Sequence, residues 1–279
     1  MQTPDQAQLT QLASKYQLPA FPLAMQEIER LINNASPDIA AICQVIDDTP
    51  ALSHELLATV NSPYFCRQVQ LNEIKELTDK FGLNALCSYC TALLLGENFK
   101  HDLDNLVTQL WQDTIDIANA MVFLGDNVKQ AIPSSLLYTI GVFQGSGMAL
   151  LARHHKKYED VIFQALSNRD NSVRAEQQHY NIDHTVLAYA VATQWNLPEN
   201  IAQLILHHHA ISYFDTASHS HYQLAFCVFK AAEHMVYQAK YERPSPDWQE
   251  FKHTVLLMLG ISDLDFEAIF TEYFAIYSL

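Results

Sequence analysis

Four proline-marked phrases between residues 18 and 65 decide the fold of this 279-residue chain. They are Leu18-Pro19-Ala20-Phe21-Pro22, Ser36-Pro37-Asp38-Ile39, Thr49-Pro50 and Asn61-Ser62-Pro63-Tyr64-Phe65. A serine or threonine before proline is typical of a helix start, because the hydroxyl can cap the first amides and proline at the first helical position gives up no hydrogen bond. The phrases therefore predict short capped helices, with Ser36 and Thr49 as their N-caps.

The rest of the chain repeats apolar residues at helical spacing. Leu52, Leu56, Leu57 and Val60, for example, place one apolar stripe on one helix face. Seven glycines and ten prolines provide few tight turns, and no run alternates like a strand, so the sequence predicts an all-α fold. Further helices are predicted at about Leu23–Asn33, Asn72–Lys80, Leu83–Gly96, Leu103–Leu124, Ser134–Leu151, Tyr158–Leu166, Val173–His179, His184–Trp195, Pro198–His208, Tyr222–Ala239, Asp247–Leu259 and Asp263–Ile276.

The composition argues against several classes of partner. Hydrophobic residues make up 49% of the chain, which is enough for a folded core. A formal charge of −15 repels phosphate backbones and anionic lipids, and the densest basic run, Arg153-His154-His155-Lys156-Lys157, is interpreted as a solvated helix end. We therefore expect neither a nucleic-acid nor a membrane partner. The first residues lack the basic start and apolar run of a secretory signal, and the five cysteines form no disulfide ladder, which favours a cytoplasmic location.

The order of the proline-marked phrases resembles the start of the HDOD family. These are bacterial relatives of the HD-type metal-dependent phosphohydrolases and are generally thought to act in signalling rather than catalysis. The resemblance spans roughly residues 16 to 235. It implies an amino-terminal helical bundle at residues 1–100 packed on a degenerate HD-like helical core at residues 101–279, the two forming one compact unit.

The resemblance also indicates where metal ligands would lie. In HD-type hydrolases a histidine, a His-Asp pair on the next helix and a distant aspartate hold one or two metal ions that acidify a water. The matching positions here are Asp113, then Phe143 and Gln144, then Ala232. Phenylalanine offers no lone pair, and glutamine is a weak neutral donor. Glu233 is adjacent to the last position, but one residue turns a helix by about 100°, so we expect it to point elsewhere.

Two later segments match the family more closely. Asn181-Ile182-Asp183-His184-Thr185 resembles the segment that carries an auxiliary histidine at a helix start, and Leu206-His207-His208-His209 resembles the terminal His-His element. In two-metal relatives these histidines contribute to the second metal, although histidines at a helix end can equally bind its negative pole. We expect no bound metal. Were a divalent ion bound, its ligands would be Asp113, His184, His207 and His208.

Other motifs have structural interpretations. Cys87-x-x-Cys90 could be a zinc half-site or a redox pair, but its place within a helix favours buried thiols. The glycines of Gly141–Gly147 follow no strand and precede no lysine, so they favour close helix approach rather than a phosphate loop. The aromatic tail from Phe266 to Tyr277 predicts an amphipathic last helix that packs on the body or faces a partner.

The leading hypothesis is a non-catalytic bacterial signal-transduction module with a degenerate HD metal site, no catalytic residue and no cofactor. It would act by binding a small ligand or by contacting another signalling protein, and the resemblance to the family implies a histidine kinase or a cyclic-dinucleotide enzyme as such a partner. The alternative is a metal-dependent phosphohydrolase acting on a nucleotide or cyclic dinucleotide. In the leading hypothesis the pocket is lined by Asp113, Phe143, Gln144, His184 and His208.

Overall fold

A computed structural model describes residues 3–65, 70–100, 102, 104–167, 172–216 and 221–278. Within these ranges the chain forms sixteen α-helices and no β-strand, which confirms the all-α prediction. The helices are α1 Gln6–Tyr16, α2 Leu23–Ile32, α3 Ile39–Asp47, α4 Pro50–Val60, α5 Ile74–Phe81, α6 Leu83–Gly96, α7 Asn105–Asn127, α8 Ser134–His154, α9 Tyr158–Ser167, α10 Ser172–Tyr180, α11 His184–Gln194, α12 Glu199–Leu206, α13 Tyr213–Thr216, α14 His221–Tyr241, α15 Trp248–Leu259 and α16 Asp263–Tyr277.

Of the two helix caps predicted from the sequence, the structure confirms one and contradicts the other. Thr49 is the N-cap of α4 with Pro50 at the first helical position, as predicted. The predicted N-cap Ser36 is wrong, because α3 begins at Ile39 and the Asp38 carboxylate accepts the Ala41 amide at 3.0 Å. The carboxylate is a charged acceptor and suits this position well. Helix α1, which the sequence analysis did not include, begins at a capping box in which the side chain and amide of Asp5 bond those of Gln8.

Helix α8 forms the centre of the molecule and packs against α6, α7, α11 and α14. It is long and apolar enough to cross a membrane, but most of it is buried against other helices, as in the core helix of a soluble protein. Two of its glycines allow these close contacts. A Cβ on Gly141 would lie 2.5 Å from the Ala118 Cα in α7, and one on Gly147 would lie 2.7 Å from the His184 carbonyl carbon. The interpretation of these glycines as sites of close helix approach therefore agrees with the structure.

The amino-terminal residues pack directly on the carboxy-terminal half. Helix α1 contacts α8 and α11. The Trp195 indole N–H donates to the Pro19 carbonyl at 2.8 Å, and Phe21 meets the same indole edge to face. The predicted boundary between residues 100 and 101 stays a prediction. The contacts of Pro19 and Phe21 with Trp195 connect the segment before this boundary to the segment after it.

The last helix and the Cys87-x-x-Cys90 motif have the packing roles that the sequence predicted. Phe266 and Tyr273 of α16 are buried, and the helix packs on α7 and α14, while Phe274 of the same helix is exposed. Cys90 is fully buried within α6. Burial raises the pKa of the Cys87 thiol to about 12, so this thiol is protonated at neutral pH and a poor nucleophile.

Candidate metal centre

Three histidine side chains converge between the start of α11 and the end of α12. His184 is the first residue of α11, where Asp183 caps the helix by accepting the amides of the next turn. His208 and His209 follow the C-cap of α12. The Nε2 atom of His184 lies 3.3 Å from the Nε2 atom of His208 and 3.1 Å from that of His209. The resulting histidine cluster, His184–His208–His209, is almost fully buried.

Each ring of the cluster has its other nitrogen held by an acceptor. The Nδ1 atom of His184 lies 2.7 Å from the Glu176 carboxylate, that of His208 lies 2.6 Å from the Ile205 carbonyl, and that of His209 lies 2.5 Å from the Asp247 carboxylate. Because these acceptors carry no proton, each Nδ1 must be the donor. The three Nε2 atoms of neutral rings are then unprotonated, and their lone pairs face one another.

Unprotonated nitrogens this close repel one another, so the arrangement favours a proton or a metal ion between the Nε2 atoms. Burial would lower the pKa of His184, but the Glu176 carboxylate outweighs it and raises that pKa. Burial and the neighbouring His209 ring lower the pKa of His208 well below its usual range. Burial, together with the Lys230 ammonium, also lowers the pKa of His209. Of the three rings, His184 is therefore the one whose surroundings favour a proton.

The donor set also fits a divalent transition metal. Neutral imidazoles suit zinc, copper, iron and nickel, and an acceptor on the second ring nitrogen is the usual support for a metal-bound histidine. A tetrahedral ion with nitrogens at about 2.0–2.1 Å separates neighbouring nitrogens by about 3.3 Å, close to the two separations measured from the His184 Nε2. The histidine cluster is thus a pre-formed three-nitrogen site.

Glu176 anchors the cluster from α10. It is completely buried, and its Oε2 accepts both the backbone N–H of His184 at 2.8 Å and the Nδ1–H of the same residue. Its Oε1 accepts the Tyr158 hydroxyl at 2.6 Å. No motif in the sequence pointed to this residue. Glu176 precedes His184 by eight residues on a separate helix, so no helical spacing links the two.

A buried lysine lies behind His209. The Lys230 ammonium is 2.9 Å from Glu233 and 3.1 Å from the same Asp247 oxygen that holds His209. Burial would raise the pKa of the Asp247 carboxyl, but the Lys230 ammonium and His209 outweigh it and lower that pKa. Glu233 reaches the pocket beside the cluster, so the expectation that its side chain points elsewhere is wrong. The resemblance to the family had placed Ala232 at this site, but in the structure the next residue, Glu233, lines the pocket.

The structure brings together four of the five predicted pocket residues. Asp113, Gln144, His184 and His208 line one pocket formed by α7, α8, α11 and the turn after α12. Phe143 does not line it, because its ring is fully buried and packs edge to face on Trp195. Since Phe143 and Gln144 are consecutive on a helix, only one of them can face the pocket.

Two of the residues suggested as metal ligands do not join the histidine cluster within the described part of the chain. Asp113 accepts from the Lys240 ammonium and, at 2.6 Å, from the Tyr241 hydroxyl. His207 stacks on Tyr213 and does not join the cluster. His209 takes the place expected for His207, because the chain leaves the helix at the C-cap and helical spacing no longer predicts direction. The Gln144 amide donates to the Gly141 carbonyl at 3.2 Å.

The pocket beside the cluster is small. Its interior measures about 60 Å³, and a buried water needs roughly 10–15 Å³ on a comparable measure. Pockets for organic ligands typically measure about 300–1,000 Å³. The space next to the histidines therefore suits a few waters or a very small ligand.

A sequence profile of the HDOD domain matches residues 18–211, well over half of the chain, and the chain belongs to the HDOD domain family. The family resemblance inferred from the sequence is thereby confirmed. An uncharacterized protein from Treponema pallidum (strain Nichols) is 23% identical over 210 residues, which are 73% of this chain and 41% of that protein. This chain thus spans less than half the length of that relative.

Three solved structures share the fold. An HDOD domain protein of unknown function from Geobacter sulfurreducens has a TM-score of 0.68 at 18% identity, covering 98% of this chain and 95% of the other. A protein provisionally named a metal-dependent phosphohydrolase, from Shewanella amazonensis SB2B, has a TM-score of 0.68 at 15% identity, covering 96% and 97%. A protein provisionally named a signal transduction protein, from Marinobacter aquaeolei VT8, has a TM-score of 0.65 at 16% identity, covering 96% and 60%.

Proposed function

We propose that this chain is a non-catalytic regulatory module whose degenerate HD pocket holds one divalent metal ion on His184, His208 and His209. The proposal keeps the signalling role expected from the sequence and revises the expectation of a metal-free protein. When bound, such an ion would supply Lewis acidity and an acidified water at this site. Glu176 and Asp247 would orient two of the three imidazoles.

One observation carries the non-catalytic assignment: the carboxylates around the pocket are already engaged by groups of the protein. Asp113 is paired with Lys240, and both Glu233 and Asp247 are paired with Lys230. Two-metal hydrolysis uses ions about 3.5–4 Å apart, and ions so close need carboxylates to balance their charge. Within the described part of the chain, no pocket carboxylate is left without a cation or imidazole to serve that purpose.

The size of the pocket supports the same conclusion. A nucleotide or cyclic dinucleotide requires several hundred cubic ångströms beside the metal, and the interior here is about 60 Å³. Output would then come through contact with a separate protein in the cytoplasm, such as a histidine kinase or a cyclic-dinucleotide enzyme. We propose no nucleic-acid or membrane partner, since the chain carries a formal charge of −15.

Metal analysis and a hydrolysis assay on the same protein test this proposal. The purified chain should contain about one equivalent of zinc, iron, nickel or manganese by elemental analysis and should not hydrolyse bis(p-nitrophenyl) phosphate or a cyclic dinucleotide. His208→Ala should lose the metal, because one of three ligands is gone. His207→Ala is the matched control and should keep it, because that ring lies outside the cluster. Protein that stays metal-free after incubation with each ion would overturn the metal assignment.

A metal-dependent phosphohydrolase is the second candidate. It is favoured by one observation, the proximity of ring nitrogens from three histidines, all within 4.8 Å of one another, beside a pocket that Glu233 also lines. The named relative from Shewanella amazonensis agrees with this candidate only through its fold. Turnover of either phosphodiester that disappears in His208→Ala and persists in His207→Ala would select the hydrolase and reject the regulatory module.

A further inference from the structure

Asp247 immediately precedes α15, but its carboxylate does not cap that helix. An aspartate at this position usually accepts an amide hydrogen of the first helical turn through its side chain. Four other helices of this chain, α1, α3, α7 and α11, are capped in that way by the carboxylates of Asp5, Asp38, Asp104 and Asp183. Asp247 therefore departs from the pattern of its own chain, and its carboxylate serves another purpose.

The Asp247 carboxylate is directed to the histidine cluster instead. Its Oδ2 lies 2.5 Å from the His209 Nδ1 and 3.1 Å from the Lys230 Nζ. The backbone differs accordingly, because Asp247 has helical dihedral angles, φ −90° and ψ −5°, whereas the four capping aspartates are extended. One oxygen thus connects a ring of the cluster to the residue from which α15 starts.

The backbone of the same residue begins the hydrogen bonds of α15. The Asp247 carbonyl accepts the Glu250 amide at 3.0 Å and the Phe251 amide at 3.2 Å. The Phe251 ring is buried, and the Lys230 ammonium lies 5.1 Å from its centroid. Because both amides depend on one carbonyl, a displacement of Asp247 would loosen the first turn of α15 directly.

Occupancy of the cluster determines how firmly the His209 ring is held. Without a metal ion, the His209 and His184 Nε2 atoms, 3.1 Å apart, are joined at most by a shared proton. A metal ion on Nε2 would fix the ring and leave its Nδ1–H as a donor to the carboxylate, which is the usual support of a metal-bound histidine. Such coupling is reciprocal, so a carboxylate that strengthens metal binding is itself held more tightly once the metal is bound.

We infer that Asp247 couples metal occupancy of the histidine cluster to the start of α15. A divalent ion holds the His209 ring, the ring holds the Asp247 carboxylate, and the Asp247 carbonyl holds the first turn of the helix. The inference rests on the proposed function and names the part of the molecule that responds to the ion. This turn includes the exposed residues Gln249 and Glu250, so the response reaches the surface.

Hydrogen–deuterium exchange of the first turn of α15 tests the inference. Chelator-treated protein and zinc-loaded protein are compared by mass spectrometry, and elemental analysis counts the bound zinc. Zinc should slow exchange of the Glu250 and Phe251 amides by about fivefold or more, the lower end of typical coupling between two sites. The last turn of α15 should change little, because Leu259 anchors it in the core.

Asp247→Ser separates this coupling from the capping of α15. Serine is a good N-cap, as Ser262 is for α16, but its shorter side chain does not reach His209. At zinc concentrations that fill the site, the variant should keep α15 folded and lose the effect of zinc on the first turn. Glu250→Gln, which changes an exposed carboxylate of the same turn, is the matched control and should respond like the wild type.

A zinc response in the wild type that Asp247→Ser loses would support the inference. Zinc that binds without slowing exchange, or a response that Asp247→Ser retains, would overturn the inference and leave the metal site standing. Protein that binds no zinc would overturn the proposed function as well, so the two failures are distinguishable. Should the serine variant not fold, Asp247→Asn keeps the shape without the charge, and an undiminished response in it would equally contradict the coupling.

Discussion

Replacing Gly147 by alanine tests the link between the packing of α8 and the histidine cluster. The new Cβ would lie 2.7 Å from the His184 carbonyl carbon and 3.0 Å from the Ala188 nitrogen, and the His184 carbonyl oxygen is nearer still. Both neighbours are backbone of α11, so no side chain can rotate away. The start of α11 must therefore move outward by roughly 1 Å, which carries His184 away from the other two histidines.

The expected cost follows from two opposing effects. Overpacking in a core costs about 1–3 kcal/mol, and a clash with backbone belongs at the upper end of that range. The higher helix propensity of alanine offsets about 1 kcal/mol. The free energy of unfolding should therefore fall by about 2 kcal/mol, as measured by urea denaturation.

The metal site should weaken in the same variant, because three nitrogens that no longer converge bind an ion less tightly. Competition with a chelator measures this loss. Gly96→Ala is the matched control, since its Cβ meets only ordinary contacts, and it should preserve both stability and metal affinity. A Gly147→Ala protein as stable as the wild type, with unchanged metal affinity, would refute the claim that this glycine positions His184.

Three further predictions concern buried charges. Glu176→Gln should lower metal affinity about 10–100-fold in the chelator assay, because an amide cannot accept from all three donors that this carboxylate serves; unchanged affinity would exclude Glu176 from orienting the site. Lys230→Met should lower the unfolding free energy by about 3–5 kcal/mol, since two carboxylates lose their buried cation. Lys252→Met, which breaks an exposed ion pair, should cost less than about 1 kcal/mol, and equal costs would contradict this reasoning. Burial, with the nearby Lys252, lowers the pKa of His234 from 6.5 to about 4, so between these values the unfolded chain takes up a proton that the folded chain does not. The free energy of unfolding of the wild type should fall by about 2 kcal/mol as the pH drops through that window, after allowance for the partial exposure of His234. Urea titrations at pH 7 and pH 4.5 measure this change, and His234→Phe should lose it.

The proposed function, a pocket that holds a metal ion without catalysis, rests on the distribution of charge around that pocket. Lys240 and Lys230 each pair with a carboxylate that faces the pocket. A protein ammonium then balances charge that would otherwise attract a second ion. The histidine cluster needs no such balance, because its imidazoles are neutral donors.

Much of the fold could be predicted from the sequence because helices are local structures. The spacing of apolar residues and the Thr49-Pro50 cap depend only on neighbours along the chain, and the structure reproduces them. His184 at the start of α11 was also predictable, since it follows the N-cap Asp183 and helix starts have local signals. The glycines of α8 were also informative, because several glycines close together in an apolar helix indicate that neighbouring helices approach its backbone closely.

The composition of the candidate site was decided by tertiary structure. His209 rather than His207 joins the cluster because the chain has left α12 at that point, and its direction depends on packing. Glu176 and Asp247 reach two of the histidines from other helices, and no spacing along the chain encodes such contacts. The sequence by itself determined which helices form and where they start, since those depend on neighbouring residues. Only the packing of those helices decided which nitrogens meet, because that depends on residues far apart in the chain.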